Sequence, residues 1–257
     1  MQHLDLSDDK ADALAGNVDI CTRLLECDVK DDTVTRVMDD IAQSIRHLER
    51  RFEEASKKSD QDDQWFWDGE NDYLEKLIGV SFIVLQSKIR RVASSAASFD
   101  KRLKKFFDLS IAGFETQSAV RALGDTYKGT GSTLVQQIWD TANYFKHRDE
   151  WPSEVWEEDN DRKGEANQIM NSRNTRKSVA RIGIEKSSTG NMRTAYEFMG
   201  AVPYSNCECL VERVQEWADL VYAHSKAGLP VDPEILDRAR VRRYARYFKY
   251  RNTWRSE

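Results

Sequence analysis

Asn143 and His147 stand one helical turn apart, with Asp140 a turn before them and Arg148 directly after. An imidazole can take or give a proton near neutral pH, and a nearby carboxamide or carboxylate can fix which ring nitrogen carries it. A guanidinium beside such a pair can hold a phosphate and offset charge building on its oxygens. His147 is therefore the candidate general acid/base, Asn143 and Asp140 its orienting groups, and Arg148 the candidate phosphate clamp.

One helix, expected over 131–150, must carry all four. At about 100° per residue, Leu134, Val135, Ile138, Trp139, Ala142 and Phe145 share an apolar face. Gln136, Asp140, Asn143, His147 and Glu150 gather on the opposite, wet side. Ser132 or Thr133 can cap the start after Lys128-Gly129-Thr130-Gly131. Pro152 stops the helix near Glu150, which puts Lys146-His147-Arg148 at the negative end of the helix dipole.

The segment Ala142-Asn143-Tyr144-Phe145-Lys146-His147 resembles the signature of the HEPN helical-domain family. There an Arg, a polar residue (often Asn) and, a few residues on, a His lie on a late helix of an all-α bundle. The resemblance covers little more than this helix and the helical setting. It implies RNA cleavage without metal or cofactor in a bacterial toxin or antiviral system. It also implies a homodimer that brings two such helices together, and an antitoxin as a protein partner. Asn143 takes the polar position and His147 the acid/base position. Ala142 stands where the family has its Arg, so Arg148 or Arg121 would have to supply the guanidinium.

A second constellation closes the sequence. From Arg238 to Arg255 there are eight Lys or Arg and no acid, interleaved with Tyr244, Tyr247, Phe248, Tyr250 and Trp254. Arg238, Arg242, Arg243, Arg246, Lys249 and Arg251 can neutralise phosphates while the rings stack on unpaired bases. The same helix could instead lay its Arg stems over the core or pair with the acidic stretches at 60–75 and 149–161. The alternative function is thus a non-catalytic helical adaptor that binds a protein or nucleic acid through this helix.

Other chemistries find less support. His147, Asp149, Glu150 and His224 are possible metal ligands, but no Glu-x-x-His pair occurs and no metal site is expected. Gly129-Thr130-Gly131 lacks the Lys-Ser/Thr ending of a phosphate loop, and there is no Gly-x-Ser-x-Gly elbow. Cys21, Cys27, Cys207 and Cys209 show no paired-ligand spacing, so reduced thiols are expected. Neither a signal core in MQHLDLSDDK nor an apolar run of membrane-spanning length is present, so the cytoplasm is the expected location, away from membrane.

The elements that position these groups read as helices throughout. Only 12 Gly and 4 Pro occur in 257 residues, which favours long helices over a sandwich or barrel. Helices are expected over 8–28, 31–57, 73–98, 101–107, 114–127, 131–150, 192–199, 207–226 and 235–250. The row Val34, Val37, Met38, Ile41, Ile45, Leu48 and Phe52 is close to a heptad seam, for a hairpin or a dimer. Ser59–Asp63 reads as a break, and 162–190 shows no firm periodicity. The expected fold is all-α: an antiparallel helical bundle over 1–158, a polar connection over 159–190, and a smaller helical part over 191–257.

Overall fold

Apolar residues at three- and four-residue spacing set most of the helices, which are α1 (Asp8–Lys30), α2 (Thr33–Lys58), α3 (Gln64–Phe107), α4 (Gln117–Arg121), α5 (Leu134–His147), α6 (Asn167–Ala180), α7 (Asn191–Met199), α8 (Glu208–Ala227) and α9 (Pro233–Thr253). The computed structural model describes residues 7–58, 64–156, 167–186, 188–229 and 231–253, with side chains except at 58, 64–66 and 248–253. Among the described residues there is no strand, so the fold is all-α. No helix among them is long and apolar enough to cross a membrane. The expected break at Ser59–Asp63, the acids at 157–161, Trp254 and the side chains of Trp65, Phe66, Lys249 and Arg251 lie outside the described residues.

Two compact units are drawn from interleaved segments of the chain. The first takes Met1–Lys30, Arg91–Leu123 and Ala218–Glu257, and the second takes Asp31–Arg90 and Gly124–Trp217. In the first, Leu14, Val18, Leu25, Phe99, Leu103 and Leu236 are buried. In the second, Met38, Ile45, Leu48, Phe82, Ile138 and Tyr196 are buried. The seam row of α2 contributes Val34, Met38, Ile41, Ile45 and Leu48 to that core, while Val37 is 40% exposed.

Three stretches differ from the sequence expectation. The helices read over 73–98 and 101–107 are parts of α3, because Val92, Ala96, Phe99 and Leu103 keep the buried row unbroken. Asp108, in the left-handed region at φ 55°, ends it. The helix expected over 114–127 shrinks to α4, which Thr116 caps by accepting from Ala119 N at 3.0 Å. Gly124, at φ 107°, turns the chain away just beyond it. Conversely, α6 forms in the stretch without clear periodicity. Its inward residues are Arg173 and Val179, and the Arg173 guanidinium reaches Glu154 O at 3.0 Å. With an arginine in its buried row, α6 shows no apolar stripe to read.

Candidate functional site

Thr133 caps α5, its hydroxyl accepting from Gln136 N at 3.2 Å. From this start the buried face carries Val135, Gln137, Ile138, Asp140, Thr141, Ala142 and Tyr144. Asp140 is thus not on the wet side, where the helical wheel put it. One of its oxygens accepts from Gln136 Nε2 at 2.9 Å and the other from Ser178 Oγ of α6 at 2.6 Å. α6 packs on α5 here, and a carboxylate that accepts hydrogen bonds on both oxygens tolerates the burial.

Asn143 is held by α3. Its Oδ1 accepts from Gln86 Nε2 at 2.9 Å, and Gln86 Nε2 also donates to Trp139 O at 3.1 Å. Gln86 Oε1 accepts from Lys146 Nζ at 2.8 Å. Burial, with Arg90 nearby, holds the Lys146 amine below the usual lysine range. His147 lies one turn past Asn143 with half its side chain exposed, and its Nδ1 stands 3.0 Å from Glu150 Oε2. Glu150, one turn further on, is thus the carboxylate beside the ring, and Nε2 is the remaining ring nitrogen.

The end of α5 serves two hollows. Asn143, His147 and Glu150 line one of ≈ 700 Å³, together with Asn171, Ser172 and Thr175 from α6. Tyr144 and Arg148 line another of ≈ 800 Å³, with Trp156, Glu75 of α3 and Arg193 of α7. Trp151 lines both. A step of one residue along a helix turns the side chain by about 100°, and so His147 and Arg148, neighbours in sequence, serve different spaces. Among the described residues, no Lys or Arg lines the His147 hollow. Ala142, at the position of the expected Arg, is wholly buried.

The second hollow is built with more support. Tyr144, Trp151 and Trp156 meet edge to face or tilted, with ring centroids 5.6, 5.7 and 6.2 Å apart. Asn191, almost wholly buried, donates from Nδ2 to the Tyr144 hydroxyl oxygen at 2.8 Å and to Glu185 O at 2.8 Å. Burial pushes the Tyr144 pKa up, partly opposed by that bond and by Arg148. Glu75 caps α7, accepting from Met192 N at 2.8 Å, Arg193 N at 3.2 Å and Arg193 Nε at 2.8 Å. Arg148 stacks over Phe145 with its guanidinium carbon 5.4 Å from the ring centroid.

In the first unit, α9 pairs with α1. Arg240 reaches Asp19 at 2.8 Å, Arg242 reaches Asp12 at 3.0 Å and Asp8 at 3.2 Å, and Arg246 reaches Asp12 at 3.0 Å. Later residues of α9 meet earlier ones of α1, so the two helices run antiparallel. Arg243 lies 3.6 Å from Asp19, and Arg238 Nε donates to Glu234 O at 3.3 Å. Among the described residues, the cations of α9 pair with acids of α1 and with Asp237 of α9 itself. His224 also belongs to this unit, with Nε2 2.7 Å from Ala112 O. Among the described residues no three His, Cys, Asp or Glu side chains gather as a metal site.

No family model, curated protein or solved structure matches the chain. The site therefore stands on its own geometry. Sequence reading missed Gln86, which gives no signal inside an apolar helix, and Glu75 and Arg193, which meet only through folding. Trp151 and Trp156 stand among the acids of 149–161, a pattern that does not mark them as walls of a hollow.

Proposed function

We propose that this protein is a non-catalytic helical recognition protein, HEPN-like in its α5 motif, whose principal docking site is the hollow lined by Tyr144, Trp151 and Trp156. The observation that carries this reading is the divergence of His147 and Arg148. Among the described residues the imidazole shares its hollow with no cation, while Arg148 lines the other with three aromatic rings and Arg193. Trp, Tyr and Arg in a concave centre are the side chains that dominate protein–protein binding energy. Asp68 and Lys186 on the rim make no ion pair among the described residues, leaving a charge of each sign for a partner. The occupant that fits is a polypeptide segment with an apolar anchor flanked by both charges.

A second reading, metal-independent RNA cleavage, is favoured by the His147–Glu150 pair at 3.0 Å. A carboxylate on Nδ1 leaves Nε2 for proton transfer. Two experiments on the full chain separate the readings. Peptide-display selection should enrich sequences whose binding falls tenfold or more in Trp151→Ala and in Trp156→Ala. No enrichment, or peptides indifferent to both changes, would overturn the docking proposal. Incubation of labelled RNA with chelator should give no cleavage. Cleavage abolished by His147→Ala would establish the second reading instead.

A further inference from the structure

The α1–α9 pair carries a site of different chemistry. Arg242 and Arg246 each approach the Asp12 carboxylate to 3.0 Å, and Asp8 and Asp9 add further carboxylates at 3.2 and 4.0 Å, so their charge is matched by acids of α1. Arg243 is held another way. Its guanidinium lies across Gly16 of α1, where an added Cβ would stand 2.8 Å from Nη1. Glycine inside a helix is less favourable than alanine, and here it gives a cation room to lie against the helix.

Arg243 forms one wall of a hollow of ≈ 310 Å³ with Asp19, Arg23, Arg240, Tyr244 and Tyr247. That volume is at the lower end of small-ligand sites, about 300–1,000 Å³. Tyr244 and Tyr247 are each 60% exposed, and Ile20 beside them is 52% exposed. Arg240 is paired with Asp19 and, from outside the hollow, with Asp237. Arg23 makes no ion pair among the described residues, and Arg243 shares Asp19 at the longer distance of 3.6 Å. The lining therefore keeps a surplus of positive charge beside two exposed phenol rings.

A flat, π-rich anion meets both features. We propose that this hollow binds a nucleotide unit, with its base stacked on Tyr244 and Tyr247 and its phosphate on the Arg23 and Arg243 guanidiniums. Stacking on aromatic side chains tolerates any base, and phosphate contacts carry the salt dependence. The unit can come from a free mononucleotide or from an unpaired strand; both share this chemistry. The proposal does not depend on the Trp151 hollow.

The test is calorimetric titration of the full chain with adenosine 5′-monophosphate, ribose 5-phosphate, phosphotyrosine and a single-stranded oligoadenylate. The mononucleotide should bind at least about tenfold more tightly than ribose 5-phosphate, which lacks the base. Tyr244→Ala with Tyr247→Ala should remove that difference, and Arg23→Gln, which loses no ion pair among the described residues, should weaken both ligands. An oligomer tighter than the mononucleotide assigns the site to unpaired strands; one no tighter assigns it to free nucleotide. No saturable binding of either, equal binding of ribose 5-phosphate or phosphotyrosine, or affinity untouched by the tyrosine changes would overturn the proposal.

Discussion

At Cys207, burial favours thiol over thiolate and pushes the pKa from 9.0 up to about 11. Burial also pushes Tyr204 from 10.0 up to about 12, helped by its bond to Glu197. In the unfolded chain both groups lose their protons near the ordinary values, while the folded state still holds them. Their contribution to stability is therefore complete below pH 9 and is lost as pH rises through about 11 and 12. The thermal midpoint should fall progressively from pH 9 upward, and Cys207→Ala should blunt the first part of that fall. Circular-dichroism melts across this range check it; a parallel decline in the variant would remove Cys207 as the cause. Alkylation should label the exposed Cys27 first and leave the buried Cys21 and Cys207 unmodified until unfolding. At this scale the candidate site was half legible. Asn143 and His147 share a hollow as their spacing implies, but Asp140 does not. A wheel drawn for α5 alone has no knowledge of Ser178, which arrives from a helix with almost no apolar pattern.

Between elements, close approach outweighs helix propensity at Gly79 of α3. Exchanging a helical glycine for alanine ordinarily stabilises by about 0.4–1 kcal/mol. At Gly79 a new Cβ would lie 2.2 Å from the Phe145 ring of α5, so the rings and backbones must part. Gly79→Ala should therefore destabilise, by about 1–3 kcal/mol as overpacking does. Phe145→Leu in the same chain should recover much of the loss, since the two changes are coupled. Urea denaturation of the two single variants and the double one measures this, and additive effects would refute the contact. A related argument applies to Asp12 of α1, only 7% exposed yet shared by two arginines of α9. Asp12→Asn leaves two guanidiniums competing for a weaker acceptor and should cost about 1–2 kcal/mol, discounted because both arginines are partly in water. The helices α1, α2 and α8 were legible because apolar residues such as Leu14, Ile45 and Val214 dominate their buried rows. The full length of α3 was hidden by Lys101, Arg102, Lys104 and Lys105, which occupy its wet side without interrupting Phe99 and Leu103. The basic α9 was legible as a helix, whereas its acidic partner could come only from folding.

Over the whole molecule, interleaving decides what can fold alone. Residues 1–158 contain α1 but not α9, whose Leu236 and Ala239 are buried in the same unit. They contain α5 but neither α6, which takes up one oxygen of Asp140, nor α7, whose Asn191 holds Tyr144. A fragment ending at 158 would thus expose Leu14 and Val18 in one unit and leave Ile45, Phe82 and Ile138 without the α7 and α8 residues buried alongside them in the other. Large apolar exposure with helical backbone retained describes a compact state without fixed packing. The fragment should therefore show far-ultraviolet helicity, bind a hydrophobic dye strongly and melt without a sharp transition. Adding residues 159–257 as a separate chain should suppress dye binding, since each unit then regains its missing helices. A fragment 1–158 that melts cooperatively and ignores the dye would mean that the two units do not share the chain as their buried residues require.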